Sequence, residues 1–301
     1  MSNGKISNLN QICSLQRYVA LDGEMKGLSV IDCHSGKLHF LINESKALDI
    51  MQVYYCGENV SFISKNGFKA RELTFLRRFE GGMLYTCGLD CIGGVDGHDL
   101  HGSLHNTPAT LTRMECTEEG IFVEGYMRDS ALFGKNLLLK RRISSILGSD
   151  RIEIEDTLIN EGTKDESYAL LYHVNLGYPM LDEGGELVAD IEQVRPRNEW
   201  AKENISNWKE MQAPKDNYEE TCYYLDVKDG RISYRCKDKQ FTLRYSKETL
   251  PKFIAWKSMA NGDYALGLEP STTELDDGYC LSTIAPKGKK NFKISMIFSK
   301  E

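Results

Sequence analysis

Arg151-Ile152-Glu153-Ile154-Glu155 sends its isoleucines to one side of an extended chain and its charges to the other. Successive strand side chains point to opposite faces, so the pentapeptide reads as a strand with one face buried and one solvated. Working outward, Phe292-Lys293-Ile294-Ser295-Met296-Ile297-Phe298 repeats the alternation near the C-terminus. Short strands of the same kind are predicted over 37–42, 60–63, 120–126, 137–143, 241–245 and 264–268. Between them stand dipeptides that tolerate positive φ: Asp22-Gly23, Asn66-Gly67, Asp229-Gly230, Asn261-Gly262 and Asp277-Gly278. Val227-Lys228-Asp229-Gly230-Arg231-Ile232-Ser233 is the best hairpin pattern, two turn residues between two short strands. Helical pattern is scarce. Trp200, Asn204 and Trp208, spaced by four and followed by Pro214, predict a short helix within 199–211, and one turn or two follows Ser7. No internal repeat and no Pro/Gly/Ser linker divides the chain, so the expectation is an all-β sandwich or barrel forming a single domain over 1–301.

The remaining composition narrows the partners. The 301 residues carry a formal charge of −7, with 41% hydrophobic and 27% charged residues. Nucleic-acid binders need a basic face that releases counterions from phosphates, so no nucleic-acid partner is expected. The one dense basic run, Lys140-Arg141-Arg142, lies in an apolar stretch and reads as a strand with a solvated face. No window approaches the roughly 18 apolar residues of a spanning helix, and the start, MSNGKISNLNQIC, lacks the apolar core of a secretory signal. Nine scattered cysteines fit a reducing compartment better than a disulfide framework, so a cytoplasmic protein without a membrane partner is expected.

Few residues offer chemistry. His34 and His39 flank Ser35-Gly36 with no evident polar company and read as surface or edge residues. His98, His101 and His105 cluster in a glycine-rich polar segment, 93–109, that reads as an ordered loop. His173 interrupts the apolar run Ala169-Leu170-Leu171-Tyr172-His173-Val174-Asn175-Leu176, so its ring is either a satisfied core group or one aimed into a cavity. Glu269 ends a buried-looking strand, Tyr264-Ala265-Leu266-Gly267-Leu268, where a carboxylate is costly without a partner or a role. Cys87 and Cys91 with the loop histidines offer ligands for zinc, but Gly102 and Pro108 oppose the helix that would align His101 with His105. No phosphate loop, dinucleotide fingerprint or Gly-x-Ser-x-Gly elbow occurs, so no nucleotide cofactor and no serine hydrolase is indicated. Tyr172, Tyr178, Trp200, Trp208, Tyr223, Tyr224 and Trp256 supply flat faces of the kind that bind sugars, though packing explains most such rings singly.

Several segments come in a familiar order: Phe75-Leu76-Arg77-Arg78-Phe79-Glu80-Gly81-Gly82, Thr86-Cys87-Gly88-Leu89-Asp90 and Leu100-His101-Gly102-Ser103-Leu104-His105-Asn106-Thr107-Pro108-Ala109. Leu132-Phe133-Gly134-Lys135-Asn136-Leu137, Leu171-Tyr172-His173-Val174-Asn175-Leu176-Gly177-Tyr178-Pro179 and Gly267-Leu268-Glu269-Pro270-Ser271 follow. Together, from about Gln11 to the last strand, they resemble the galactose mutarotase-like superfamily, and within it an aldose 1-epimerase-like branch catalogued as a domain of unknown function. The resemblance implies one large β-sandwich with a sugar cleft across a sheet and an enzyme that interconverts aldose anomers without metal or cofactor. It places a general acid at His173, a general base at Glu269 and sugar contacts at Arg77 and His101. His105 and Asn175, in the same motifs, are expected to bind substrate, and Lys257 would meet an anionic substituent. The chain departs from the branch at Leu225, where a histidine is usual, at Lys46-Ala47 in place of an Arg-Gly pair, and in offering only Glu219-Glu220 near a position where mutarotases carry an acid. The expected function is therefore aldose 1-epimerase. A related sugar isomerase, a non-catalytic carbohydrate-binding module and a zinc-dependent lyase or isomerase are the alternatives. Free strand edges permit a homodimer without requiring one.

Overall fold

The computed structural model describes residues 4–300. Strands dominate, and they form three antiparallel sheets of five, eight and seven strands. The five-stranded sheet is a meander from Ser14–Val19 to Glu58–Asn59. The eight-stranded sheet runs, in spatial order, from Glu186–Val188 through Arg231–Cys236, Lys239–Tyr245, Lys289–Lys300, Arg151–Asn160, Asn136–Ile146 and Gly120–Ser130 to Thr110–Thr117. The seven-stranded sheet orders Ile191–Pro196, Thr221–Val227, Lys252–Ala260, Asp263–Ser271, Glu166–Leu176 and Ser282–Ile284, with Leu84–Leu89 paired to Glu166–Leu176.

The alternation read from 151–155 sets the first core. Ile152, Ile154 and Leu158 point inward from one sheet to meet Leu170, Tyr172 and Val174 of another, while Phe40, Ile42 and Val53 bring the five-stranded sheet into the same apolar cluster. A second, smaller cluster of Phe75, Tyr85, Cys87, Ile92, Ala169, Leu171, Tyr224, Ile254 and Leu275 covers the opposite face of the seven-stranded sheet. Strand Glu166–Leu176 is thus buried on both sides, which is why its sequence is an apolar run rather than an alternation. Cys87 and Cys91 are both fully buried and pack in the interior.

Three sequence expectations need correction. Residues 60–63 form only isolated bridges, from Ser61 to Leu176 and from Ile63 to Gly81, and are no strand. Asp229-Gly230 is a turn, but its flanking strands part: Thr221–Val227 joins the seven-stranded sheet and Arg231–Cys236 the eight-stranded one. The expected hairpin is a crossover between sheets. The helix expected within 199–211 divides into Glu199–Glu203 and a 3-10 turn, Ile205–Asn207. A 3-10 turn, Leu9–Gln11, follows Ser7, capped by the Asn8 side chain. Among the described residues no helix is long and apolar enough to cross a membrane.

Candidate active site

Strand pairing brings His173 and Glu269 together. In the antiparallel register Leu171 faces Ser271 and Val174 faces Leu268, which sets His173 opposite Glu269 on the face away from the first core. His173 Nε2 lies 3.3 Å from Glu269 Oε1, and both side chains are almost wholly buried, at 5% and 2% exposure. Neither satisfies the other: Glu269 Oε1 and His173 Nδ1 make no hydrogen bond in the protein. Buried polar atoms are normally paired, so unpaired ones on residues that line a cavity are candidates for contact with a ligand.

That cavity measures about 520 Å³. Its floor holds His173 and Glu269, and its walls include His101, Phe79, Trp256, Arg197 and Glu220. Three rings fence the His173 imidazole, with Phe79 and Trp256 at 5.5 Å and His101 at 5.7 Å between centroids. Gly267 gives the pair its room. A Cβ there would lie 2.7 Å from Glu269 Oε1, 2.9 Å from His173 Cε1 and 3.1 Å from Trp256 Cε3.

His101 sits at φ +67°, one residue before Gly102 at +76°. Its Nδ1 lies 2.6 Å from the Ile92 carbonyl, which can only accept, so Nδ1 carries the proton and Nε2 keeps its lone pair. Burial lowers the His101 pKa to about 4, with the Ile92 carbonyl opposing, so the ring is neutral near pH 7. Burial likewise holds His173 well below the usual imidazole range, helped by His101 and opposed by the Asn175 amide. Glu269 is pushed well above the carboxylate range by burial and then by Glu220, while Arg197 pulls it back.

Of the other expected site residues, none lines the cavity. Arg77 is exposed on the short helix Phe75–Arg78; its neighbour Arg78 is the buried one, and its Nη1 donates to Asp99 at 2.9 Å. His105 is buried, with Nδ1 2.7 Å from Asp49 and Nε2 3.2 Å from Glu80, and it stacks on Tyr85. Asn175 shares the His173 face, but its amide donates to the carbonyls of Gly82 and His173, which fixes the backbone beneath the site. Lys257 alternates to the other face of its strand from Trp256 and Ser258. Its ammonium donates to the carbonyls of Asn207 and Glu210, both at 2.7 Å. The histidine-rich loop gathers no metal ligands: His101 and His105 turn to separate partners, and the three-ligand cluster among the described residues lies elsewhere.

The sequence reading missed Arg197 and undervalued Glu220. Arg197 forms a two-pronged bond to Asp276 at 2.7 and 2.9 Å, and Tyr224 also donates to Asp276. Glu220 accepts from the Trp256 indole at 2.7 Å, which fixes the Trp256 ring beside His173. No local pattern marks Arg197; only the pairing of Ile191–Pro196 with Thr221–Val227 brings it to the cleft.

No curated protein sequence matches the chain. Solved structures do. A protein of Klebsiella pneumoniae described as a "putative aldose 1-epimerase" superposes with a TM-score of 0.85 at 20% identity, over 96% of this chain and 84% of that one. A galactose mutarotase-like protein of Clostridium acetobutylicum gives 0.73 at 12% identity, over 97% and 100%. A "putative mutarotase" of Salmonella typhimurium gives 0.69 at 11% identity, over 98% and 96%. At these identities the likeness shows the fold. The family profile described as Domain of unknown function (DUF4432) matches residues 25–294, so the chain belongs to that family and is built on the galactose mutarotase-like sandwich.

Proposed function

We propose that this protein is an aldose 1-epimerase, with Glu269 as general base and His173 as general acid. The observation that carries the reading is their position: a carboxyl and an imidazole 3.3 Å apart, unpaired, on the floor of a ring-lined cavity. Mutarotation opens a hemiacetal. The base takes the O1 hydroxyl proton as C1=O1 forms, the C1–O5 bond breaks, and the ring oxygen takes a proton from the acid. Rotation about C1–C2 then offers the other carbonyl face, and closure runs the same transfers backward. No redox step and no covalent adduct is needed.

Burial opposes charge on both groups, which favours holding a proton on the Glu269 carboxyl over the His173 imidazole. Passing it to His173 across their contact creates the carboxylate and imidazolium the reaction uses, and the polar atoms of the bound sugar stabilise that charged form. Each proton transfer contributes about 100- to 10,000-fold. His101, with its free Nε2 lone pair, accepts from a sugar hydroxyl, and Trp256 and Phe79 offer faces to the C–H side of the ring. The test is saturation-transfer NMR on α and β anomers of a panel of neutral aldoses and uronic acids with the wild-type protein. One or more of them should exchange anomers well above the buffer rate; equal rates for all would overturn the reading.

A further inference from the structure

Asp32, His34 and His39 meet on the five-stranded sheet, outside the cleft. Antiparallel register places His34 directly opposite His39, and Asp32, two residues before His34, shares their face. His39 Nε2 lies 2.9 Å and His34 Nε2 3.6 Å from the same carboxylate oxygen, Asp32 Oδ1. All three ligand atoms fall within 4.8 Å of one another. The rings are held. His34 stacks on His39 at 3.9 Å and 11°, and Tyr54 covers the other side of His39 at 4.9 Å and 14°. Gln52 in turn donates to the Tyr54 hydroxyl.

From this convergence we infer a binding site for a zinc-class divalent cation with Asp32, His34 and His39 as its protein ligands. Zinc binds imidazole nitrogen at about 2.0–2.1 Å and carboxylate oxygen at about 2.0–2.2 Å, so tetrahedral ligand atoms sit roughly 3.4 Å apart. The two separations from Asp32 Oδ1 bracket that value, and because a metal lies in the plane of each imidazole it binds, the half-exposed His34 ring turns out of its stack on His39 to complete the site. Two nitrogens and one oxygen suit zinc, cobalt or nickel and not magnesium or calcium, which take oxygen shells. His34 is half exposed and the other two are partly so, which leaves a fourth position open to water. A bound ion would pin strand Ser29–His34 to Leu38–Asn43 beside their turn. The cleft chemistry neither needs nor uses it.

The experiment is titration of the full-length protein with zinc chloride, against a competing fluorescent indicator, followed by thermal melts across the same concentrations. One equivalent should bind with a dissociation constant in the micromolar range or below, and the melting temperature should rise with zinc. His34→Ala and His39→Ala should each weaken binding by at least the roughly 10- to 100-fold that loss of even an outer-shell partner costs. His34 is the more exposed, so His34→Ala keeps the test valid if removal of the stacked His39 disturbs folding. Exposed thiols at Cys56 and Cys280 are controlled by a Cys56→Ser/Cys280→Ser variant, which should bind as wild type does. Binding that survives both histidine substitutions, binding that disappears with the two thiols, or no binding below 100-fold excess zinc would each overturn the site.

Discussion

Gly267 is where the candidate chemistry meets the backbone. Its missing side chain is the space that Glu269, His173 and Trp256 fill, so Gly267→Ala must push the carboxyl or the imidazole aside. Overpacking of this kind costs about 1–3 kcal/mol. The variant should stay folded, melt at lower temperature and lose most anomer exchange. A second outcome at this scale concerns pH. His173 titrates below the ordinary imidazole range and Glu269 above the ordinary carboxylate range. Below both transitions the two groups are protonated and no base remains; above both they are deprotonated and no acid remains. The pair titrates as a unit, so kcat/KM against pH should be bell-shaped with limbs belonging to the pair. Glu220→Gln removes a charge that raises Glu269 and should move the limb governed by the Glu269 carboxyl to lower pH. At this scale the sequence was readable where a polar residue broke an apolar run, as His173 and Glu269 do. It was unreadable where function depends on which side of a strand a residue faces at its far end, as with Lys257. The register that turns Arg78 rather than Arg77 inward was likewise invisible.

At the scale of elements, alternation identified strands well and their partners poorly. Asp229-Gly230 and Asn261-Gly262 look alike in sequence, yet only the second closes a hairpin, with Ala260 facing Asp263. The hairpin that Arg231–Cys236 does form closes on Lys237-Asp238, with Lys237 at φ +54° and no glycine to announce it. Local chemistry specifies a turn; sheet membership is decided by which core the next strand's apolar face joins. The two glycines should therefore respond differently to alanine. Gly262 has φ +84° and open space, so Gly262→Ala carries only the left-handed backbone penalty of about 1 kcal/mol. Gly230 has φ +62° and a Cβ there would lie 2.7 Å from the Tyr245 carbonyl oxygen, adding a steric cost of about 1–3 kcal/mol. Urea denaturation should rank Gly230→Ala well below Gly262→Ala, and equal midpoints would contradict the close approach of the Tyr245 carbonyl to Gly230.

Across the whole molecule, one buried arginine ties the sheets. Lys140-Arg141-Arg142 reads as a solvated basic strand, and Lys140 and Arg142 are exposed as that predicts. Arg141 between them is fully buried. Its guanidinium reaches Asp156 of the neighbouring strand at 2.7 Å, Asp49 of the five-stranded sheet at 2.7 Å and Thr86 of the seven-stranded one at 3.0 Å. Tyr172 donates to Asp156, and His105 to Asp49, so a histidine expected in the sugar site belongs instead to this core network. Removing one partner of a buried ion pair leaves a charge unpaired, at about 3–5 kcal/mol. Arg141→Ala should lower the unfolding free energy by that order, whereas Arg142→Ala, on the solvated side, should change it by less than about 1 kcal/mol. Individual strands, and His173 and Glu269 as polar breaks in apolar runs, were legible because each is local in sequence; the network was not, because it draws on all three sheets at once.

The central claim is that His173 and Glu269 act as one proton-transfer unit. It is tested most directly by measuring anomer exchange for the wild type, His173→Asn, Glu269→Gln and the double variant on the most active aldose. Residues acting as a unit are non-additive. Each single variant should lose about 100-fold or more, and the double should fall little below either. Exchange that survives either substitution at the wild-type rate would contradict the account.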